Sequence, residues 1–133
     1  MSLSFLISES ISPTLLDMIE QSENLPMESI SQLLINSVHE NFLEQGRPDP
    51  WLPRVENPYD DGHPLLMDTG NLYDSIYAST ITNEEIVVES STEYGDFLNS
   101  GTTRMAARPF LIMQDTDADE IENLLAQHFN MTD

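Results

Sequence analysis

The chain has 133 residues, the length of one domain, with 39% hydrophobic and 21% charged residues, a globular rather than disordered composition. It carries 24 acidic residues against four basic ones, all arginines (Arg47, Arg54, Arg104, Arg108), for a formal net charge of −20. Such a surface repels phosphate, which excludes tight nucleic-acid binding and an anionic membrane surface. The lack of cysteine excludes disulfides, thiol catalysis and zinc–thiolate sites, and fits a reducing cytoplasm.

The elements read as follows. Leu3 to Ile7 is a short apolar run, expected as a first strand. The N-terminus has no basic region ahead of that run and reads as a poor signal peptide. No apolar run approaches the roughly 18 residues of a membrane span. Ser12-Pro13 starts a short helix that ends near Asn24. Pro26 starts a longer one, in which Met27, Ile30, Leu34, Val38 and Phe42 step by three and four. Gly46 reads as its C-cap, followed by Pro48 and Pro50.

Residues 46–66 hold five of the eight prolines and two of the five glycines, an extended irregular segment expected to be functional or mobile. Trp51 lies within it, either as a lid over the core or as an interface anchor. Asp68-Thr69-Gly70 opens a turn in which Asp68 or Thr69 caps a short helical turn. Ser75 to Thr82 and Glu85 to Ser91 read as a hairpin turning at Asn83-Glu84. Tyr94 to Asn99 reads as a short helix ended by Gly101. The run from Arg108 to Met113 reads as a further strand, extended at its start because the residue before proline avoids the helical region. Thr116 with Asp119 resembles a capping box for a last helix whose apolar stripe is Ile121, Leu124, Leu125, His128 and Phe129. The order predicts a single α+β domain, residues 1–133, with helices packed on one face of a small antiparallel sheet.

Catalytic patterns are few. Leu65-Leu66-Met67-Asp68-Thr69-Gly70 resembles the active-site strand of a retroviral-type aspartic protease, the enzyme alternative for this chain. The glycine-rich flap and second glycine loop of that fold are missing, and a turn explains the same residues. Asp115-Thr116-Asp117-Ala118-Asp119 begins like a calcium loop, but Glu120 stands where glycine is required and Ala126 where a bidentate Glu is required. The three histidines (His39, His63, His128) have no metal-ligand spacing, so no metal and no cofactor is expected.

Four segments occur in a telling order. The first is Phe42 to Leu52, with Gly46, Pro48 and Trp51. The second is Pro64 to Ile76, with Leu66, Thr69, Gly70, Leu72, Ser75 and Ile76. Tyr94 and Gly101 form the third, and Ala107-Arg108-Pro109-Phe110-Leu111 the fourth. Together they resemble the phage virion morphogenesis (tail completion) family of tailed bacteriophages and prophages, over roughly residues 27–130. Gly95 departs from the alanine usual after the tyrosine, Leu98-Asn99 from a His-Gln pair, and Ala106 from a proline.

The resemblance implies a non-enzymatic structural protein of the virion, assembled in the host cytoplasm, that completes the tail or neck where head and tail join. It implies a homo-oligomeric ring, commonly six-fold, in contact with tail-tube, sheath or connector proteins. A transient head-assembly factor is the alternative within the same family. Read as residues alone, Gly70 and Gly101 are expected at positive φ, and Leu66, Leu72 and Ile76 on the buried side of the turn. Arg108 is expected to pair with a carboxylate, within the chain or across a subunit boundary.

Overall fold

The computed structural model describes residues 2–6, 25–53, 65–67, 70–92, 94–102 and 107–129. In chain order these hold strand β1 (Ser2–Leu6), helix α1 (Met27–Leu43), the single turn α2 (Asn71–Asp74), strands β2 (Ile76–Ile81) and β3 (Glu85–Ser90), helix α3 (Gly95–Ser100) and helix α4 (Asp115–His128). The fold is α+β: one antiparallel sheet of order β1-β3-β2, with α1 packed on β2 and β3 and against α4. The expected helix over 12–24 lies outside the described residues.

The sheet is built by alternation. On β3, Ile86 and Val88 point into the core, and the register sets Phe5 opposite Ile86 and Leu3 opposite Val88. On β2 both Ile76 and Ile81 pack with the core, although an odd spacing would normally put them on opposite faces. A bulge resolves this. Ala78 pairs with Val88 and Thr80 with Val87, so Ser79 is an extra residue that switches the parity of the strand. The β2–β3 hairpin closes where expected: Thr82 N–H donates to the Glu85 carbonyl at 2.9 Å, and Thr82 Oγ1 accepts the Glu84 and Glu85 amides. On the outer face the Tyr77 hydroxyl donates to Glu89 at 3.1 Å, and this bond to a carboxylate is the main cause that raises the phenol above its ordinary value.

In α1 the whole apolar stripe (Met27, Ile30, Leu34, Val38, Phe42) is buried, as its period requires. Its C-terminus differs from expectation. Gln45, not Gly46, takes the left-handed position after the helix, at φ 59°. Gln45 N–H bonds the Phe42 carbonyl and Gly46 N–H the Asn41 carbonyl, the double closure of a Schellman motif. A non-glycine residue is held there because its side chain is occupied: Gln45 Nε2 donates to the Phe42 and Leu65 carbonyls, and Gln45 Oε1 accepts the Leu65 amide. Within 46–66, the described residues 46–53, 65 and 66 are irregular but tied down; the remainder lies outside the described residues.

Helix α4 begins at Asp115, not at a Thr116–Asp119 box. Its N-cap is Gln114, whose amide is accepted by the Asp117 carboxylate at 2.8 Å. Ile121 and Leu125 are buried on its inner face, whereas His128 is exposed rather than part of the stripe. The expected strand over 108–113 does not join the sheet. Pro109 has no amide to offer a ladder, and the backbone groups around it bond to side chains instead.

Leu34→Ala should lower the urea midpoint by the equivalent of about 2–5 kcal/mol, since it opens a cavity at a fully enclosed position. Leu43→Ala, at a residue 59% exposed on the same helix, should stay within about 0.5 kcal/mol.

Candidate functional site

Asn41 sits on α1 in phase with Leu34 and Val38, so helical period forces a polar side chain into the core, where it is 0% exposed. Burial without partners would cost about 1–3 kcal/mol for each orphaned group, so the fold must supply them. Asn41 Nδ2 donates to the Phe110 carbonyl at 2.8 Å and the Ile112 carbonyl at 3.3 Å. Asn41 Oδ1 accepts Arg47 Nε at 2.8 Å.

A second amide holds the other side of the same segment. Asn99, at the end of α3, accepts the Phe110 and Leu111 amides on one oxygen, at 2.9 and 3.0 Å. Asn99 stands in the glutamine position of the resemblance, so an amide is retained there. Trp51 Nε1 donates to the Pro109 carbonyl at 2.9 Å, and Arg108 N–H to the Leu98 carbonyl at 2.9 Å. The described backbone bonds of 108–112 thus go to side chains and to one carbonyl of α3.

Arg47 continues the network. Its Nη2 donates to the Ser37 carbonyl at 2.6 Å and to Ser37 Oγ at 2.9 Å. Ser37 Oγ in turn donates to the buried Asp117 carboxylate at 2.5 Å. The hydroxyl relays between guanidinium and carboxylate, and it joins the loop after α1 to the first turn of α4. Gln114 Nε2 closes the circuit on the Arg47 carbonyl at 3.1 Å.

The apolar half centres on Phe42. Its ring meets Trp51 edge-on at 5.9 Å, Tyr73 edge-on at 5.6 Å and Phe110 tilted at 5.2 Å. His39 stacks on Tyr73 at 4.0 Å and bonds the Tyr73 carbonyl through Nε2. Gly46 is required by contact: a Cβ there would lie 2.6 Å from the Trp51 amide nitrogen, at a φ of +115°. Gly70 and Gly101 take the expected positive φ, 80° and 77°. Ser75 Oγ donates to the Leu72 carbonyl and shares a bond with Ser90 Oγ, fastening α2 to β3.

Gly46, Trp51, Leu72, Ile76, Pro109 and Phe110, far apart in sequence, therefore meet in or around one buried knot. The sequence profile of the phage virion morphogenesis family matches residues 9–130. The chain belongs to this family. No curated protein and no solved structure matches it.

In this member of the family the other motif residues fall into three groups. Leu66 is half-buried at a φ of 64°, and Pro48 is exposed after a cis Arg47–Pro48 peptide. Thr69, with Asp68, lies outside the described residues; the N-cap of α2 is Gly70. Tyr94 is 47% exposed and Arg108 half-buried. The described bond of the Arg108 side chain is from Nε to the Leu52 carbonyl at 3.1 Å, not to the expected carboxylate. Leu52 and Phe97, beside these residues, are 62% and 60% exposed. Gly95 has a local reason: a Cβ there would press on Thr92 Oγ1 at 2.9 Å and Ser90 Oγ at 3.0 Å.

Among the described residues no three His, Asp or Glu side chains gather as metal ligands, and no helix is long and apolar enough to cross a membrane. Motif spacing missed Ser37, Asn41, Asn99 and Asp117. The available signal was polar residues at stripe phase, three after Leu34 and three after Val38.

Asn41→Leu would orphan the Phe110 carbonyl and Arg47 Nε, and should destabilise by about 3 kcal/mol or more in urea unfolding. Gly46→Ala should cost at least about 1–3 kcal/mol through strain and displacement of Trp51. The only tryptophan reports both, through red-shifted emission and easier acrylamide quenching in the native baseline.

Proposed function

We propose that the chain is a ring-forming structural subunit that completes the tail or neck of a tailed phage particle at the head–tail junction, in contact with tube, sheath or connector proteins, and that it does so without catalysis. Membership of the phage virion morphogenesis family gives it a part in building the virion. The observation that carries the finer assignment is the division of the motif: Gly46, Trp51, Leu72, Ser75, Ile76 and Phe110 are buried as scaffold, and the clamped segment is flanked by exposed apolar side chains, Leu52, Tyr94 and Phe97. Large apolar groups held outward by a rigid support suit a protein contact. The charge supports it too. A ring through which DNA passes works best if its surface does not hold phosphate, and −20 per subunit meets that need.

The same charge opposes self-assembly. Repulsion between exposed charges reaches about 10 Å at 0.1 M salt and shrinks as salt rises. In sedimentation velocity, oligomers should therefore be weak at about 50 mM salt and favoured at about 500 mM salt or by a basic partner surface. An oligomer that dissociates on adding salt would contradict this. Mass spectrometry of purified particles should find the chain retained; its absence there, with defective heads in a knockout, would favour the transient head-assembly role.

A further inference from the structure

The chain presents two surfaces that complement each other. One is the apolar patch beside the clamped segment. Tyr94 and Phe97, three residues apart around α3, share a face of that helix. Next to it, Arg108 is bonded through its backbone to Leu98 and through its side chain to Leu52. Among the described side chains the patch is therefore apolar with one cation. Of the two arginines among the described residues, Arg47 is consumed inside the molecule, whereas the described side-chain bond of Arg108 goes to a neutral carbonyl.

The other surface is a groove of about 570 Å³ between α1 and α4. Leu33 and Leu124 give it apolar walls. Glu40, Asp117 and Glu120 line it against the single cation Arg47, whose guanidinium is bonded to Ser37 and Asn41. Its volume is in the range, roughly 300–1,000 Å³, that takes a compact group such as a few side chains. Leu43, 59% exposed, continues the Asn36–Glu40 face of α1 beyond it.

We infer that the α3 patch of one copy docks into the α1–α4 groove of the next, Phe97 entering between Leu33 and Leu124 and Arg108 meeting the Glu40 and Glu120 rim. The occupant is a second copy because patch and groove match in both polarity and charge: apolar with a cation against apolar with excess carboxylate. An arginine beside a desolvated apolar contact is the pairing that interfaces concentrate. Two different surfaces on one chain make a heterologous contact, the kind that closes into rings or runs on as filaments. The inference rests on the ring proposed above and names its joint. It also fits the expected salt response, since one favourable pair per joint stands against general repulsion.

The lack of native cysteine makes the test clean. Copies carrying Ser100→Cys, an exposed position one turn along α3 from Phe97, are mixed with copies carrying Gln32→Cys, a groove-lining exposed position, and oxidised at about 500 mM salt, where repulsion is screened. The mixed disulfide should exceed either symmetric one. Arg108→Glu in the first copy should slow its formation at least about tenfold, and Glu120→Arg in the second should restore much of the rate. Urea unfolding of each variant alone separates interface loss from misfolding. Oligomers by sedimentation with no mixed disulfide would overturn this joint and leave the ring standing. A dominant Ser100→Cys symmetric disulfide would do the same, in favour of a two-fold contact. A chain monomeric at every salt and uncrosslinked would overturn both.

Discussion

An amide with no access to water must find every partner inside the protein, and Asn41 finds both its carbonyl partners on a segment that begins its contact 69 residues away in the chain. Its donors reach the Phe110 and Ile112 carbonyls, and its acceptor receives Arg47. A shift of the 108–112 backbone by one residue would break the two carbonyl bonds and the two that Asn99 makes from the other side. Apolar packing alone tolerates sliding; directional bonds from two buried amides do not. The register of this segment therefore fixes where Phe110 enters beside Phe42, and Trp51 closes over the same place through the Pro109 carbonyl.

The second constraint is charge. A chain with four arginines places one of them in an internal relay through Ser37 to Asp117. Asp117 is also the residue that caps α4, so one carboxylate both starts a helix and receives the relay. This ties the loop after α1 to the start of α4 with hydrogen bonds rather than a direct ion pair. It leaves the outer surface overwhelmingly acidic, which makes association dependent on apolar contact, screening or a basic partner.

The family motif acquires a physical meaning from this arrangement. Gly46 lets the chain turn back against Trp51, Ser75 ties the helical turn to the sheet, and Pro109 keeps a carbonyl aimed at the indole. These residues make a support.

The sequence by itself determined the α+β class, the three strands of the sheet, the long helix with its buried stripe, the hairpin turn and the positive φ at Gly70 and Gly101. It also carried the family, through four short segments in order. Each of these is a local property: a period of two or 3.6, a turn residue, a spacing. Tertiary structure alone decided the rest. The 108–113 run has the residues of a strand, yet side chains from α1, α3 and the loop after α1 take its backbone bonds. Gln45 holds a left-handed position that favours glycine because Leu65 engages its side chain. Thr116 spells a cap, yet Gln114 and Asp117 make it, since Ser37 fixes Asp117 in place. In each case a bond between distant residues outweighed a local preference of about 1 kcal/mol, and no pattern within a single segment encodes such a bond.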